Sequence, residues 1–341
     1  MRKLKIGVVG AGSIASKRHL PEYAENKNVE IVAVCDINEQ RAKEIGVKFG
    51  AAKIFSDYHD LLKEDLDAVS VCTPNYLHAP VSIAALEAGK HVLCEKPMAT
   101  SEEEADQMIS AAEKSGKTLM IGHNQRLVES HQQAKNWLKE GKFGKVYSFR
   151  TAFGHPGPEA WSADGAESWF FKKEEAFIGA MGDLGVHKTD LLRYILGEEM
   201  VEVAAMVETS AKDHADVDDN AVLILKTESG IIGTLAASWA YKGKEDNSTV
   251  IYTEKGVLRL EDDEKHSVIF HKHDGTREEL SLGQIQSNEE GGQVSTGVID
   301  HFVDSILTGK APLITGEEGK KSLLVILGAL KSEETKQIVK L

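Results

Sequence analysis

The sequence predicts a doubly wound α/β domain around a parallel sheet, followed by an α+β C-terminal domain with a large, mostly antiparallel open sheet. Three observations lead there. Over the first 120 residues, short continuous apolar runs alternate with helical stretches, the pattern of a parallel sheet covered by helices on both faces. The first of these runs passes into a glycine-rich turn. Past residue 145, strand-like segments follow one another directly, several at hairpin distance. At 341 residues the chain has room for two domains of ~150 residues. We expect the boundary between 1–122 and 123–341, with the closing helices free to pack back on the first domain.

Taken in order, KLKIGVVG is a strand and SIASKRHLPEYAEN a helix with a break before Pro21. VEIVAVCD is the second strand and NEQRAKEIGVKFG its helix. AKIF is a short strand, DYHDLLKE a helical turn or two, DAVSVCT a strand, APVSIAALEAG a helix and KHVLCEK a strand. SEEEADQMISAAEKSG is a helix opened by Ser101. Its first-turn glutamates face the orphan N–H groups and the positive dipole end. TLMIG is the sixth strand. AKNWLKEGKFG is an amphipathic helix, and eight strands follow, beginning with KVYSFRTAF and ending with HSVIFHKHDG and TREELSL. Asp274-Gly275 reads as a two-residue hairpin turn. Helices near 292–309 and 316–332 close the chain. Segments such as GIIGTLAASWAY are apolar or small on both alternations. One face then packs on helices, and a flat face rich in Ala, Ser and Thr calls for a second copy, as a homodimer or homotetramer.

The net charge of −14 is spread along the chain, a surface that repels nucleic acid and anionic membranes, so neither is expected as a partner. The longest apolar stretch, SLLVILGAL, is far short of the ~20 residues of a membrane span, and the N-terminal apolar run is broken by glycines, unlike a signal peptide. Cys35, Cys72 and Cys94 sit in or at the ends of apolar strands with no CxxC pair. They read as buried thiols of a reducing, cytoplasmic compartment. The HKH at 271–273 falls in a predicted hairpin, and no metal site is expected.

The first turn, VVGAGSIA, is a GxGxxA pattern with Gly10, Gly12 and Ala15, running from a strand into a helix. Glycines let backbone approach a pyrophosphate, and the helix start offers N–H donors and positive dipole. The pattern alone is weak, but the second strand ends in Asp36, at the spacing where an acid holds a ribose 2′-hydroxyl. A dinucleotide is expected here, held by Gly10, Gly12, Ser13, Ile14, Asp36 and Ile37. No arginine follows Asp36 before Arg41, which favours NAD over NADP. Ligands of such sheets sit outside the carboxyl ends of the strands. That brings in Thr73, Pro74, Asn75 and His78, then Glu95 and Lys96, then the GHNQR segment with Asn124 and Arg126. Lys96, followed by a proline, is poorly placed for a purely solvated role, though its stem covering apolar surface is the plain alternative.

Residues 154–177 have no clear period, two prolines and two tryptophans. A long irregular loop is usually functional or disordered. Trp161 and Trp169 offer planes for the C–H faces of a sugar, or simply anchor the loop. In MGDLGVHKTD, Asp183, His187 and Asp190 are spaced to share one helix face, away from Leu184, Leu191, Leu192 and Ile195. A helix cap and a satisfied core histidine would explain the same residues.

The GxGxxA turn with AVCD, the stretch CTPNYLHAPVSIAALEAGKHVLCEKPMA and the segment GAMGDLGVHKTDLLRYILG together resemble the Gfo/Idh/MocA family of nicotinamide-dependent sugar and polyol dehydrogenases. The likeness spans both domains in order, and its E-K-P tripeptide and D-x-G-x-H-x-x-D helix start are specific in combination. The chain departs from many relatives in having Gly179-Ala180-Met181-Gly182 where they carry a glycine run. The resemblance implies an α/β Rossmann domain and Lys96, Asp183 and His187 as the catalytic group, oxidising a secondary hydroxyl of an inositol-type polyol or sugar with hydride passing to nicotinamide C4 of NAD. His187 is then the general base, Lys96 holds the reacting oxygen, and Asp183 orients the imidazole or binds a neighbouring hydroxyl. Asn124, Arg126, His155 and Asp190 are candidates for other hydroxyls, Asp190 alternatively supporting His187. Two other activities stay open: an internal redox cycle on tightly bound NAD, as in glycosidic cleavage, and a non-catalytic nucleotide sensor.

Overall fold

The computed structural model describes residues 2–282 and 295–341. The first sheet is built from β1 (Leu4–Val9), α1 (Leu20–Glu25), β2 (Val29–Cys35), α2 (Glu39–Lys48), β3 (Lys53–Phe55), α3 (Tyr58–Leu62), β4 (Ala68–Val71), α4 (His78–Glu87), β5 (His91–Cys94), α5 (Glu102–Ser115) and β6 (Leu119–Ile121). Its six strands run in the order β3-β2-β1-β4-β5-β6, all parallel. The order reverses between β1 and β4, so their carboxyl ends open a crevice. The central strands are mainly apolar because helices cover both faces. Ile6, Val8, Val34, Val69, Val71 and Leu93 are all buried.

The helix after β1 is continuous and not broken before Pro21. A π-turn at Ala15–His19 leads into α1, where Pro21 occupies the first turn. Proline is tolerated there because the π-turn, closed by Leu20 N–H on Ala15 C=O, has already shifted the hydrogen-bond ladder where Pro21 supplies no N–H. Side chains cap four later helices as their sequences require: Asn38 accepts from the Arg41 N–H, Asp57 from His59, Ser101 from Glu104 and Thr315 from Glu318.

The second part comprises α6 (Glu129–Lys139), β7 (Val146–Gly154), α7 (Lys173–Ala176), α8 (Val186–Leu196), β8 (Met200–Glu208), β9 (Asn220–Thr227), β10 (Ile232–Ser238), β11 (Thr249–Thr253), β12 (Gly256–Leu260), β13 (Val268–Lys272) and β14 (Arg277–Leu280), then α9 (Val298–Thr308), α10 (Gly316–Thr335) and β15 (Val339–Lys340). The second sheet has nine strands in the order β14-β13-β12-β11-β7-β10-β9-β8-β15. All its pairs are antiparallel except β7 with β10. The Asp274-Gly275 turn differs from the two-residue form: Lys272 N–H meets Thr276 C=O, and Gly275, at φ +85°, donates back to Lys272 C=O. One added residue lets the turn use the commoner right-handed type I geometry before the glycine. The expected helix near 292–309 is α9, and residues 292–294 lie outside the described residues.

One face of this sheet buries Phe149, Leu223, Leu225, Leu235 and Ile251 against α8 residues such as Leu191 and Leu192. The other face is more apolar than expected, exposing Met206, Val222, Ile224, Ile232 and Tyr252. The closing helices return to the first sheet. Ile299, Phe302 and Val303 of α9 enter the first core, while α10 gives Leu323 to the first and Val325, Ile326 and Ala329 to the second. Just before α10, Ile314 C=O accepts from Ile121 N–H, and Thr315 bridges Met120, which covers the outer edge of β6.

Candidate active site

The crevice is one end of a cavity of about 590 Å³. The glycine turn shapes that end. Gly10 has φ +89°, and a Cβ there would stand 2.4 Å from the Cys72 carbonyl oxygen, so only glycine fits. A Cβ on Gly12 would meet nothing within 4 Å, so the backbone there is open to a ligand. Asp36 ties the turn to β2: Oδ2 accepts the Ala11 N–H at 2.8 Å and Oδ1 the Asn38 N–H at 2.9 Å. Ser13, Ile14, Thr73, Asn75, His78, Glu95 and Lys96 line the cavity, whereas Gly10, Asp36, Ile37 and Pro74 stand just outside its lining. Ile37 is almost fully exposed. An open glycine turn, an acid at the end of β2 and a crevice at the switch point together fit a dinucleotide.

The strand ends supply polar chemistry. His78 is fixed between Pro97 C=O at 2.7 Å and Thr73 C=O at 2.9 Å, and Asn75 donates to Ala176 C=O across the interface. Glu95 Oε1 lies 2.8 Å from His19 Nε2, His19 Nδ1 lies 3.1 Å from Ser70 Oγ, and Ser70 meets Tyr23 OH at 2.7 Å. Burial opposes charge on His19, but Cys72 and Glu95 outweigh it and raise the imidazole well above its ordinary value. Glu95 is lowered despite its own burial, through His19 and Lys96. A buried ion pair therefore sits beneath Lys96.

Lys96 Nζ donates to Asp183 twice, to Oδ1 at 2.8 Å and to the backbone oxygen at 2.9 Å. Trp239 Nε1 donates to the other carboxylate oxygen at 3.2 Å. His187 is half-buried, and its Nδ1 is sealed from solvent and lacks a hydrogen-bond partner among the described residues. Burial first, then the charges of Lys96, His123 and Lys188, lower its pKa well below the ordinary imidazole value, so the ring is neutral near pH 7. Its neighbours are the rings of Phe153 at 5.8 Å and His123 at 6.4 Å.

Asp183 makes no hydrogen bond to His187, contrary to the orienting role the sequence suggested; it grips Lys96. The reason is local. Met181–Gly185 form a π-turn, whose wider winding breaks the four-residue register of an α-helix. Asp218 holds the preceding segment, accepting Gly179 N–H and Met181 N–H at 2.7 Å each. Gly179 is required because a Cβ would stand 1.8 Å from the Asp218 carbonyl oxygen.

Arg126 and Asp190 are corrections too. Neither lines the cavity. Arg126 binds Asp190 through two 2.7 Å bonds and Glu318 through a third, and Asp190 also accepts from Ser322 at 2.9 Å. Asp190 is thus spent on α10 and supports no hydroxyl. Asn124, His155, Trp161 and Trp169 do line the cavity. Asn124 Oδ1, His155 Nε2, Trp161 Nε1, Ser168 Oγ and Thr73 Oγ1 are buried there without partners among the described residues. Such orphaned donors and acceptors suit a ligand with many hydroxyls. Phe170 stacks on Trp169 at 3.9 Å and meets Trp161 edge-on at 5.1 Å, giving the same wall an apolar plane.

Sequence reasoning missed His19, Arg41, Phe153, Ser168, Phe170 and Trp239. His19 follows the glycine turn by one helical stretch and Arg41 is the first arginine after Asp36, spacings that could have flagged both; Phe153, Ser168 and Phe170 reach the cavity, and Trp239 reaches Asp183, only through tertiary packing.

Residues 4–123 match the family described as "Oxidoreductase family, NAD-binding Rossmann fold", and residues 131–259 match "GFO/IDH/MocA C-terminal domain". The chain is 28% identical over 343 residues to the myo-inositol 2-dehydrogenase of Thermotoga maritima, covering 99% of this chain and 98% of that protein. It is 30% identical to the levoglucosan dehydrogenase of Pseudarthrobacter phenanthrenivorans over 73% of this chain and 71% of that one. A levoglucosan dehydrogenase solved with NADH and levoglucosan superposes with a TM-score of 0.86 at 26% identity, over 100% of this chain and 99% of the other.

Proposed function

The chain belongs to the Gfo/Idh/MocA family of NAD(P)-dependent oxidoreductases, and on that premise we propose that it oxidises a secondary hydroxyl of a cyclic polyol or monosaccharide to the ketone, with NAD as its cofactor. One observation carries the reading: an ammonium fixed by a carboxylate and a neutral, partly unpartnered imidazole line the same cavity. In this proposal His187 takes the hydroxyl proton, a role worth ~10²–10⁴ in rate. Lys96 holds the reacting oxygen and offsets its developing negative charge, and Asp183 and Trp239 keep the ammonium aimed. Bound NAD supplies the hydride acceptor. Asn124, His155, Trp161 and Ser168 grip further hydroxyls, and Trp161 and Phe170 shield the apolar sugar face. Inositol-type polyols lead the substrate class, in keeping with the relatives named above.

A second reading, internal redox on retained NAD, is favoured by one feature. The segment between β7 and α7 is tied to the nucleotide domain: Ser13 Oγ donates to Trp161 C=O at 2.7 Å, Lys17 Nζ to the same oxygen at 3.3 Å, and Arg41 pairs with Asp164. A sensor role is disfavoured, because nucleotide binding alone needs no Lys96–Asp183 pair. We also propose that a second copy covers the exposed Met206–Val222–Ile224 face, as a homodimer or homotetramer.

The test mixes purified protein with NAD or NADP and a panel of inositols, glucose, xylose, galactose and uronic acids, and follows reduced nicotinamide by absorbance. Substrate-dependent NADH supports the dehydrogenase. Silence across the panel, together with nucleotide released only on denaturation, supports the retained-cofactor reading.

A further inference from the structure

We propose that Asp164, contributed by the second domain, is a specificity-determining residue for the nucleotide: it occupies Arg41 and so holds the protein to NAD. The inference rests on nucleotide binding at the glycine turn and not on any particular sugar.

Arg41 lies in the first turn of α2, directly after Asp36 closes β2. Its guanidinium nitrogen stands 4.0 Å from Asp36 Oδ2, and the side chain lines the cavity. A planar guanidinium beside the ribose-binding acid is the group that would pair with a 2′-phosphate in two parallel bonds. Here a second carboxylate already takes it. Asp164 Oδ1 forms an ion pair with Arg41 Nη2. Asp164 lies on the segment that Ser13 and Lys17 dock by way of Trp161, and Ser162 Oγ braces the turn through Gly165 C=O at 3.1 Å. Two carboxylates around one guanidinium leave a net negative charge. A ribose hydroxyl still finds free lone pairs on Asp36, each of whose oxygens accepts a single backbone N–H. A dianionic phosphate instead meets repulsion and a cation whose charge is already paired with Asp164. Lys48 lines the same cavity, so the test must separate Arg41 from it.

The experiment titrates NAD and NADP separately, with no sugar present, into wild type, Asp164→Asn, Arg41→Gln and the double variant, reading affinity by calorimetry. Asp164 is 40% exposed, so its replacement leaves the core intact. Asp164→Asn is expected to tighten NADP binding by about tenfold while NAD affinity stays within about twofold, the scale of one charge-assisted hydrogen bond. The double variant should lose that gain; keeping it would assign the cation to another residue of the lining, Lys48, Lys17 or Arg18, and overturn the role of Arg41. An unchanged preference in Asp164→Asn, or an equal change for both nucleotides, overturns the proposal and reduces the contact to a brace. If wild type binds neither nucleotide, the site reading itself falls, a result that no behaviour of Asp164→Asn resembles.

Discussion

Asp183 and Asp190 bound a two-turn stretch of one helical segment, Met181–Leu196, and their surroundings could hardly differ more. Asp183 faces the cavity, with one oxygen on Lys96 and the other on Trp239. Asp190 is sealed between Arg126 and Ser322, its pKa lowered because His123 and Arg126 outweigh the burial that opposes its charge. Spacing gave the two residues the same claim to the site. What separates them is what each helix end meets: β5 and β10 at one, α10 at the other. Spacing assigns a face, and only packing assigns a partner.

The sharpest way to break this contrast is to remove chemistry at one end. Replacing His187 with Ala should lower turnover by ~10²–10⁴ while nucleotide affinity and melting temperature stay near wild type, and Lys96→Met should lower turnover per folded molecule as far, with some loss of stability because the Asp183 carboxylate loses its cation. Normal turnover in either variant would move the chemistry elsewhere. Next is the other end. Asp190→Asn leaves the buried Arg126 guanidinium with the Glu318 carboxylate in place of two, an effect of up to ~3–5 kcal/mol on stability, read as a lower denaturant midpoint. Activity per folded molecule should survive; its loss at unchanged stability would return Asp190 to the active site.

Between the two ends lies Lys188, fully buried, with Nζ donating to Asn247 C=O at 2.7 Å. Burial pushes its pKa down to about 7, only partly offset by Glu261, Asp246 and Glu245. From about pH 7 up to the ordinary lysine value of ~10.4, the unfolded chain holds a proton that the folded one does not. Stability should therefore rise with pH through that window, by at most ~1.4 kcal/mol per unit, and level off below about pH 7, where both states hold the proton. Lys188→Met should flatten that slope in denaturant melts, and an unaltered slope would mean the lysine is not the group titrating. The smallest effect is expected from Trp239→Phe. It removes one hydrogen bond from Asp183 and should cost ~0.5–1.5 kcal/mol in transition-state stabilisation, a several-fold fall in kcat with KM little changed. A fall in stability alone would make Trp239 a core residue only.

Much of the first sheet was legible because its central strands are buried on both faces and so read as nearly unbroken apolar runs. Val8, Val71 and Leu93 announce themselves without knowledge of their neighbours. The β7–β10 parallel pair was not legible, since strand direction within a sheet depends on which distant strands meet. The cavity residues Lys96, Asp183 and His187 were legible through motif, and Gly10 through steric need. Arg126 was not, because nothing local in GHNQR distinguishes a substrate-gripping guanidinium from one committed to Asp190 and Glu318. The π-turn at Met181–Gly185 was equally hidden. It depends on Asp218, far along the chain, accepting two N–H groups of the segment that leads into it.

The outer edge of β6 is covered by Ile314 and Thr315. On a ribosome, the first sheet therefore emerges long before the residues that finish it. Until they arrive, β6 presents unpaired N–H and C=O groups to whatever lies nearby, including other nascent copies. A stalled or clipped chain ending before residue 314 would keep every strand of its nucleotide-binding sheet and still be sticky along one side.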